Sequence, residues 1–281
     1  MSTTNVESTA WGLARRAYAV VGNNAVARAA QRAAISVLGK AGVVGRARLG
    51  DGDVLYVDIA NRVGSSIWLR GTWDAELVAW VTGELGPGDA FVDVGANVGY
   101  YSAIASRRVG KEGLVVAVEA SPPTAALLAR SIIANQWGNV VLCPLVAGSS
   151  TSTATFVLET DSGLSRAGLA SPLRLVSARL DDIVLPLLEK RRVRGMKLDI
   201  EGGELQALRG LERLFALNKP PRVLLEANVE LVGVAGVHAL YEWFATHGMK
   251  PVDPVTAGPL PEAQLLAEHQ LNVGFVPVDR A

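Results

Sequence analysis

The chain has 281 residues, 49% of them hydrophobic, and its 27 basic residues balance its 27 acidic ones. It can bury a full core, and a neutral chain without a base-stacking motif is not expected to bind nucleic acid. Its single cysteine, Cys143, excludes an internal disulfide and has no metal-ligand spacing around it, which is typical of a reducing compartment.

The first 50 residues are basic, with seven Lys or Arg side chains against the single acid Glu7. Arginines break the apolar runs, so the pattern predicts neither a secretory signal nor a membrane span, and we expect a cytoplasmic protein. The alanine-rich "NAVARAAQRAAISVLGK" predicts a helix that packs on its own domain or on a partner subunit. A membrane-surface helix or a substrate lid remains an alternative. We therefore predict a helical extension at 1–50, acting as a lid or dimer contact, and one domain at 51–281.

Two elements are predicted before the first long apolar strand. "DVLYVDIANRVGSSIWLRG" predicts a β-hairpin that turns at Asn61 to Gly64. "TWDAELVAWVTGELGPGDAF" predicts a helix with Thr72 or Asp74 as its N-cap, closed by Gly86-Pro87-Gly88.

From Phe91 onward the pattern alternates between short apolar strands and helix-length segments. Strands are predicted at 91–94, 114–119, 140–146, 196–200 and 222–226, and helices at 100–108, 123–136, 204–217 and 236–247. This alternation favours an α/β fold, with a doubly wound, mostly parallel Rossmann-like sheet covered by helices on both faces. Residues 154–158 and 173–178 predict an antiparallel insertion after the third strand.

A glycine-rich turn, "DVGANVG", follows the first of these strands. Ligands of open parallel sheets bind beyond the carboxyl ends of the strands, so Asp93, Gly95, Asn97 and Gly99 are candidate cofactor-binding residues. The turn lacks the glycines of a dinucleotide fingerprint, and an acid before it suits a ligand that carries an ammonium group, such as S-adenosylmethionine. Glu119, at the end of the next strand, can bind both ribose hydroxyls, but NAD-binding proteins share this feature.

A second motif, "MKLDIEGGELQALRGLERL", spans Met196 to Leu214. Together with "FVDVGANVGYYSAIA", "VVAVEASP", "SARLDDI" and "RVLLEAN", it resembles the FkbM family of S-adenosylmethionine-dependent methyltransferases over residues 74–245. The resemblance implies O-methylation of a hydroxyl on a sugar, a glycan or a glycosylated natural product. It also implies that the glycine turn holds the methionine end of the cofactor and that Glu119 holds its ribose.

A hydroxyl acceptor needs a base, and the candidates are acids at strand ends. Asp199 is the first choice, Glu201 and Glu226 are the other candidate acids, and His238 is a further candidate to face the acceptor. Asp199, Glu201 and Glu226 also offer the oxygen ligands that a magnesium ion prefers, so Mg²⁺ is a candidate second cofactor.

Two other classes of function stay open at this stage. An NAD(P)-dependent oxidoreductase would share the fold and Glu119. Two features count against it: the glycine turn departs from the dinucleotide fingerprint, and the chain lacks a Tyr-x-x-x-Lys pair. A non-catalytic cofactor-binding protein would not need Asp199. The expected partners are a small-molecule or oligosaccharide acceptor and a second copy of the chain. Two roles stay open for the basic N-terminal segment: recruitment of an anionic or lipid-linked acceptor, or formation of this dimer.

Overall fold

A computed structural model describes residues 43–157, 166–167, 173–217, 219–268 and 270–278. The chain divides into two compact units, the first ending at Trp73 and the second beginning at Asp74. The helix predicted in the N-terminal extension lies outside the described residues, so its role as a lid or dimer contact stays a prediction. Within the described ranges, every helix is too short or too polar to cross a membrane.

The smaller unit contains a hairpin and a helix. Its elements are β1 (Val44–Arg48), β2 (Val54–Asp58) and α1 (Arg62–Arg70), with β1 antiparallel to β2. The hairpin predicted around Asn61 was therefore wrong: β2 pairs with the strand before it, and the second half of the predicted hairpin is helical. The reason is local, because Asn61 Oδ1 accepts hydrogen bonds from the N–H groups of Val63 at 2.8 Å and Gly64 at 3.4 Å, which caps α1.

The larger unit is built on a seven-stranded sheet, which confirms the predicted fold class. Its strands are β3 (Ala90–Val94), β4 (Leu114–Val118), β5 (Val140–Cys143), β10 (Val193–Leu198), β11 (Arg222–Asn228), β12 (Met249–Val252) and β13 (Gln270–Pro277). The order across the sheet is β12-β13-β11-β10-β3-β4-β5. The pairs among β11, β10, β3, β4 and β5 are parallel, whereas β13 is antiparallel to both of its neighbours.

Helices and a second sheet complete the larger unit. The helices are α2 (Ala75–Thr82), α3 (Tyr100–Val109), α4 (Pro122–Asn135), α5 (Leu180–Leu188), α6 (Glu204–Arg209), α7 (Glu212–Phe215), α8 (Val229–Thr246) and α9 (Glu262–Glu268). The second sheet contains β6 (Val146–Gly148), β7 (Ser152–Val157), β8 (Arg166–Ala167) and β9 (Leu173–Arg179), in the order β6-β9-β7-β8. The antiparallel pairing of β7 with β9 confirms the predicted insertion.

Three predicted elements differ most from the structure. The strand predicted at 140–146 is split between the two sheets, as β5 and β6, and the helix predicted at 204–217 is split into α6 and α7. Helix α8 begins at Val229, seven residues before its predicted start, because Asn228 Oδ1 caps it by accepting the Glu230 N–H at 2.9 Å. Gly233 then interrupts α8 with a φ of 70°.

The core lies between the parallel sheet and its helices. Every residue of β3 and β4 is buried, as expected for strands covered on both faces, and this explains why they read as continuous apolar runs. Asp93 is the polar residue of β3, and its side chain is buried like the others, with 0% exposure. The fold therefore places one acid inside the sheet, immediately before the glycine turn.

The sequence analysis did not predict the C-terminal edge of the sheet. Strand β12 runs parallel to β11 because both are antiparallel to β13, so the end of β12 and the start of β13 lie at the carboxyl edge of the sheet. Glu226 of β11 lies directly opposite Asn272 of β13. In an antiparallel pair, residues directly opposite each other present their side chains on the same face. The C-terminal strand thus extends the edge at which the predicted site residues lie.

Asp181 explains part of the "SARLDDI" motif. Its carboxylate is 0% exposed and accepts hydrogen bonds from the N–H groups of Leu214 at 2.9 Å and Arg213 at 2.8 Å, in the first turn of α7. Replacing Asp181 by alanine leaves both N–H groups without this partner, at about 1–3 kcal/mol for each buried group. We expect Asp181→Ala to lower the free energy of unfolding by about 3 kcal/mol, measured by denaturant unfolding.

Asp182 provides a matched control. It lies in the same first turn of α5, but its side chain is 53% exposed and pairs with Arg213 at 3.5 Å. We expect Asp182→Ala to change the free energy of unfolding by less than about 0.5 kcal/mol, because exposed ion pairs contribute little. Equal losses for the two variants would contradict the role given to Asp181.

Candidate functional site

Two tight turns meet at the carboxyl edge of the parallel sheet. The turn after β3 contains three residues with positive φ: Gly95 at 80°, Asn97 at 50° and Gly99 at 89°. A side chain on Gly95 would begin 1.8 Å from the carbonyl oxygen of Asp199, and one on Gly99 would begin 2.4 Å from Leu128. The backbone after β3 therefore lies against the end of β10, which explains why glycine is needed there.

Glu119 follows β4 and anchors the same turn. Its carboxylate accepts the Asn97 N–H at 2.8 Å through Oε2 and the Ser121 N–H at 2.8 Å through Oε1. Burial raises the pKa of Glu119, and the two N–H groups oppose this shift. A carboxylate has about four acceptor positions, so the half-buried Glu119 keeps the capacity to accept further hydrogen bonds from hydroxyl groups.

Asp93 lies behind the turn rather than at its surface. Its Oδ2 accepts a hydrogen bond from Ser102 Oγ of α3 at 2.6 Å. Burial raises the pKa of Asp93, while the Lys197 ammonium lowers it. With no exposed surface, this carboxylate is placed to hold α3 and the turn together.

Lys197 joins β10 to the turn after β3. Its Nζ lies 2.9 Å from Asp199 Oδ2, donates to the carbonyl of Gly95 at 3.0 Å and lies 5.2 Å from the centre of the Tyr101 ring. Burial alone would lower the pKa of this lysine, but the carboxylates of Asp199 and Asp93 raise it above its ordinary value. Lys197 is therefore the cation of an otherwise acidic site.

The turn after β10 is held by Glu204, the first residue of α6. Glu201 and Gly202 both have positive φ, 56° and 97°. Glu204, which is 1% exposed, accepts hydrogen bonds from the N–H groups of Ile200 at 3.3 Å and Gly202 at 3.0 Å through Oε1. Its burial raises its pKa. Glu204 thus fixes the loop that presents Asp199 and Glu201.

Glu226 lies at the end of β11 and is half-buried. Its Oε1 accepts a hydrogen bond from Gln270 Nε2 of β13. Burial and the neighbouring Asp199 carboxylate raise the pKa of Glu226 to about 7, against the opposing effects of Lys197 and Gln270. The structure thus places Glu226, whose pKa lies near neutral pH, next to Asp199, the first choice of base from the sequence.

His238 and the predicted magnesium ligands have different surroundings. His238 lies on α8, where its side chain is 60% exposed and pairs with Glu262 of α9. In the part of the chain that the structure describes, no three carboxylate, imidazole or thiol side chains are arranged to hold a metal ion. The magnesium site predicted at Asp199, Glu201 and Glu226 therefore has no support, and the Lys197 ammonium supplies positive charge next to Asp199 instead.

A cleft of about 670 Å³ lies at the same edge of the sheet. It is formed by the start of α2, the segment after β12, α9 and the start of β13. Its polar lining consists of Asp74, Glu76, Asp253, Thr256, Gln264, Glu268 and Asn272, and its apolar lining of Ala75, Leu77, Pro254, Val255, Leu260 and Leu271. Asn272 connects the cleft to the site, because it lies opposite Glu226. The residues that line the cleft include acids and amides but no lysine, arginine or histidine.

The sequence analysis missed three residues of this site. Lys197 was part of a quoted motif, and its signal was a charge inside the apolar run "GMKLDI". Ser102 looked like an ordinary helix residue, and only its contact with Asp93 identifies it. Gln270 lies far from the motifs in sequence, and the strand that brings it to Glu226 was not predicted.

Comparisons with known proteins agree with this geometry. The model of the family described as "Methyltransferase FkbM domain" matches residues 93–244. Protein-L-isoaspartate O-methyltransferase 1 of Archaeoglobus fulgidus is 30% identical over 131 residues, a match that covers 46% of this chain and about half (54%) of that protein.

Solved structures of methyltransferases are also similar to this chain. A proposed rRNA methylase of Clostridium thermocellum has a TM-score of 0.45 and 11% identity, covering 75% of this chain and 99% of that one. The O-methyltransferase of Bacillus cereus in complex with SAH has a TM-score of 0.39 and 14% identity, covering 71% and 76%. The expectation that nucleic acid is not a partner stays a prediction.

Proposed function

This chain belongs to the FkbM methyltransferase domain family, and we propose that it transfers a methyl group from S-adenosylmethionine to a hydroxyl of a sugar, a glycan or a glycosylated natural product. One observation carries the proposal. A line of half-buried groups follows the carboxyl edge of the sheet, from Glu119 through Asn97 and Asp199 to Glu226. Such an edge can hold a nucleoside at one end and an acceptor at the other.

The residues at the β3 and β4 end fit the cofactor. Glu119 binds the ribose hydroxyls, and the turn from Gly95 to Gly99 lets the methionine part approach the backbone. Asp93 orients this turn from behind, through Ser102 and α3. The cofactor, when bound, supplies a methyl group that is already activated on a sulfonium.

Glu226 is the better base for the acceptor hydroxyl. Asp199, the first choice from the sequence, is held in an ion pair with Lys197 at 2.9 Å. Glu226 has a pKa raised to about 7 by burial and by Asp199, and a general base is most effective when its pKa lies near the working pH. We assign proton removal to Glu226 and the orientation of the acceptor to Asp199.

The cleft beside Glu226 supports a polyhydroxylated acceptor. Carboxylates and amides form hydrogen bonds with hydroxyl groups, and the leucine and proline side chains offer an apolar surface for a sugar ring. Because the lining residues carry acids and no cation, the cleft repels phosphates and other polyanions. We therefore assign the acceptor to uncharged or cationic sugars.

The test of this proposal is calorimetric titration with S-adenosylhomocysteine and, separately, with NADH. We expect the wild type to bind S-adenosylhomocysteine and not NADH. We expect Glu119→Ala to bind S-adenosylhomocysteine about 100-fold more weakly, because it loses hydrogen bonds between a carboxylate and the ribose hydroxyls, at about 1.5–3 kcal/mol each. Glu112→Gln, at an exposed position before β4, is the control and should bind as the wild type does.

Two outcomes would overturn this reading. Binding of NADH alone would favour an oxidoreductase, and binding of neither compound would favour a protein without this cofactor. If the cofactor binds, radiolabelled methyl transfer to neutral sugars, amino sugars, sugar phosphates and RNA identifies the acceptor class. Transfer to sugar phosphates or RNA alone would contradict the acceptor assignment.

A further inference from the structure

The most unusual charge of the fold is a lysine inside the central sheet. Lys197 is only 7% exposed, and its neighbours in β10, Met196 and Leu198, are fully buried. A buried ammonium group is costly unless it is paired, and well-packed apolar residues can often replace a buried ion pair without loss of stability. Packing of the strand therefore does not by itself account for a lysine at this position.

We propose that Lys197 is a positioning residue of the reaction, whose ammonium fixes the glycine turn after β3 and the Asp199 carboxylate at one point. The inference rests on the proposed function, since it assigns the cofactor to that turn and the acceptor to the side of Asp199 and Glu226. One side chain then sets the geometry between the two halves of the site.

The sheet register places the partners of this lysine together. In the register between β10 and β3, Lys197 lies next to Asp93. Residues in register on neighbouring strands present their side chains on the same face of the sheet. Asp199 follows the last residue of β10, and its carboxylate lies within ion-pair distance of the Lys197 ammonium. The ammonium reaches Gly95 on one side, at 3.0 Å, and Asp199 on the other, at 2.9 Å.

Lys197 also offsets the acids that face Glu226. Burial, together with Asp199 and Glu201 from the turn after β10, raises the pKa of Glu226. Lys197 of β10 and Gln270 of β13 oppose this shift. On the other strand, Lys197 lowers the pKa of Asp93. Tyr101 of α3, whose ring centre lies 5.2 Å from the Lys197 ammonium, has its own pKa raised by burial and then by Asp74, Asp199, Asp93 and Glu226. Loss of the ammonium would leave this set without its neutralising charge.

The test compares Lys197→Met with the control Lys250→Met, at an exposed position of β12. We expect Lys197→Met to bind S-adenosylhomocysteine at least 10-fold more weakly than the wild type, and Lys250→Met to bind normally. Carbon-13 NMR of glutamate-labelled protein, with Glu226→Gln to assign the resonance, follows the titration of Glu226. We expect its midpoint to move to higher pH in Lys197→Met and to stay unchanged in Lys250→Met.

Lys197→Arg keeps the test decisive if Lys197→Met does not fold. Arginine retains the charge but is longer and planar, so we expect a Glu226 midpoint close to that of the wild type together with weaker binding. A folded Lys197→Met with normal binding and an unchanged Glu226 midpoint would overturn the proposal, as would a Lys197→Arg that binds normally. A wild type that does not bind S-adenosylhomocysteine would overturn the proposed function, while the NMR titration would still decide whether Lys197 controls Glu226.

Discussion

Replacing Gly95 by alanine is expected to abolish binding of S-adenosylhomocysteine and to lower the free energy of unfolding by about 3 kcal/mol or more. The new Cβ would lie 1.8 Å from the carbonyl oxygen of Asp199 and 2.8 Å from its carbonyl carbon, both backbone atoms that no rotamer change can move. The φ of 80° at Gly95 adds strain for any residue with a Cβ. The turn must therefore move away from β10, which breaks the contact between the Gly95 carbonyl and Lys197.

Gly110→Ala is a control that introduces backbone strain without a steric clash. Gly110 also has a positive φ, 65°, but a Cβ there would have no atom within 4 Å. We expect this control to lose about 1–3 kcal/mol of unfolding free energy, because φ 65° with ψ −173° is a conformation that only glycine adopts readily, and to bind S-adenosylhomocysteine normally. Denaturant unfolding and calorimetry measure both quantities, and equal effects in the two variants would show that contact with β10 does not matter.

Glu226→Gln is expected to lower kcat by about 10²–10⁴, once an acceptor is in hand, and to remove the pH dependence near neutral pH. Glutamine has the same shape and keeps a hydrogen bond with Gln270 possible, but it cannot take a proton. In the wild type the rate should rise with pH through about 7, because the base must be deprotonated and its pKa is raised to about 7. The measurement is kcat against pH from 5.5 to 9 on the two proteins, at roughly equal ionic strength.

Stability should follow the opposite trend from activity. The pKa of Glu226 is raised from 4.5 to about 7 in the folded protein, so the fold favours the neutral carboxyl. That contribution is fully present below about 4.5 and is lost as the pH rises through about 7. Glu226→Gln should therefore be at least as stable as the wild type at pH 8.

The control for this prediction is Glu230→Gln, an exposed acid four residues further along the chain. It should keep both the rate and the pH profile of the wild type. A Glu226→Gln protein with an unchanged rate would mean that the proton leaves by another route, and Asp199→Asn would be the next variant to measure.

The sequence predicted those parts of the fold that depend on local pattern. Apolar strands such as Phe91 to Val94 and the glycine turn that follows are specified by neighbouring residues, and the structure has both. The order of acids along the chain likewise predicted the edge formed by Glu119, Asp199 and Glu226. The family resemblance agrees with the match at residues 93–244.

Features that depend on which groups a side chain or strand contacts in the fold were not predicted. The hairpin was predicted wrongly because asparagine is common in turns as well as at helix N-caps. Only the hydrogen bonds from Val63 and Gly64 to Asn61 identify it as a helix cap. The preference for Asp199 as the base did not take into account its ion pair with Lys197. The two residues are only two positions apart, but the sequence alone does not determine where their side chains lie. The contact of Gln270 with Glu226 could be predicted only from the position of β13 next to β11, which the sequence pattern did not indicate.

The position of β13 has a consequence for how such a protein can diversify. The proposed cofactor half of the site is built around the ends of β3 and β4, inside the segment that the family model matches, whereas Gln270 and Asn272 lie beyond it. Exchange of the segment from β12 to β13 between relatives would therefore alter the wall of the cleft and the partner of Glu226 while leaving the glycine turn intact. Removing the segment instead would expose the edge of β11, whose unpaired backbone groups favour aggregation. If the acceptor binds where we propose, the same 30 or so residues both select it and protect the sheet edge, so changes in one are constrained by the other.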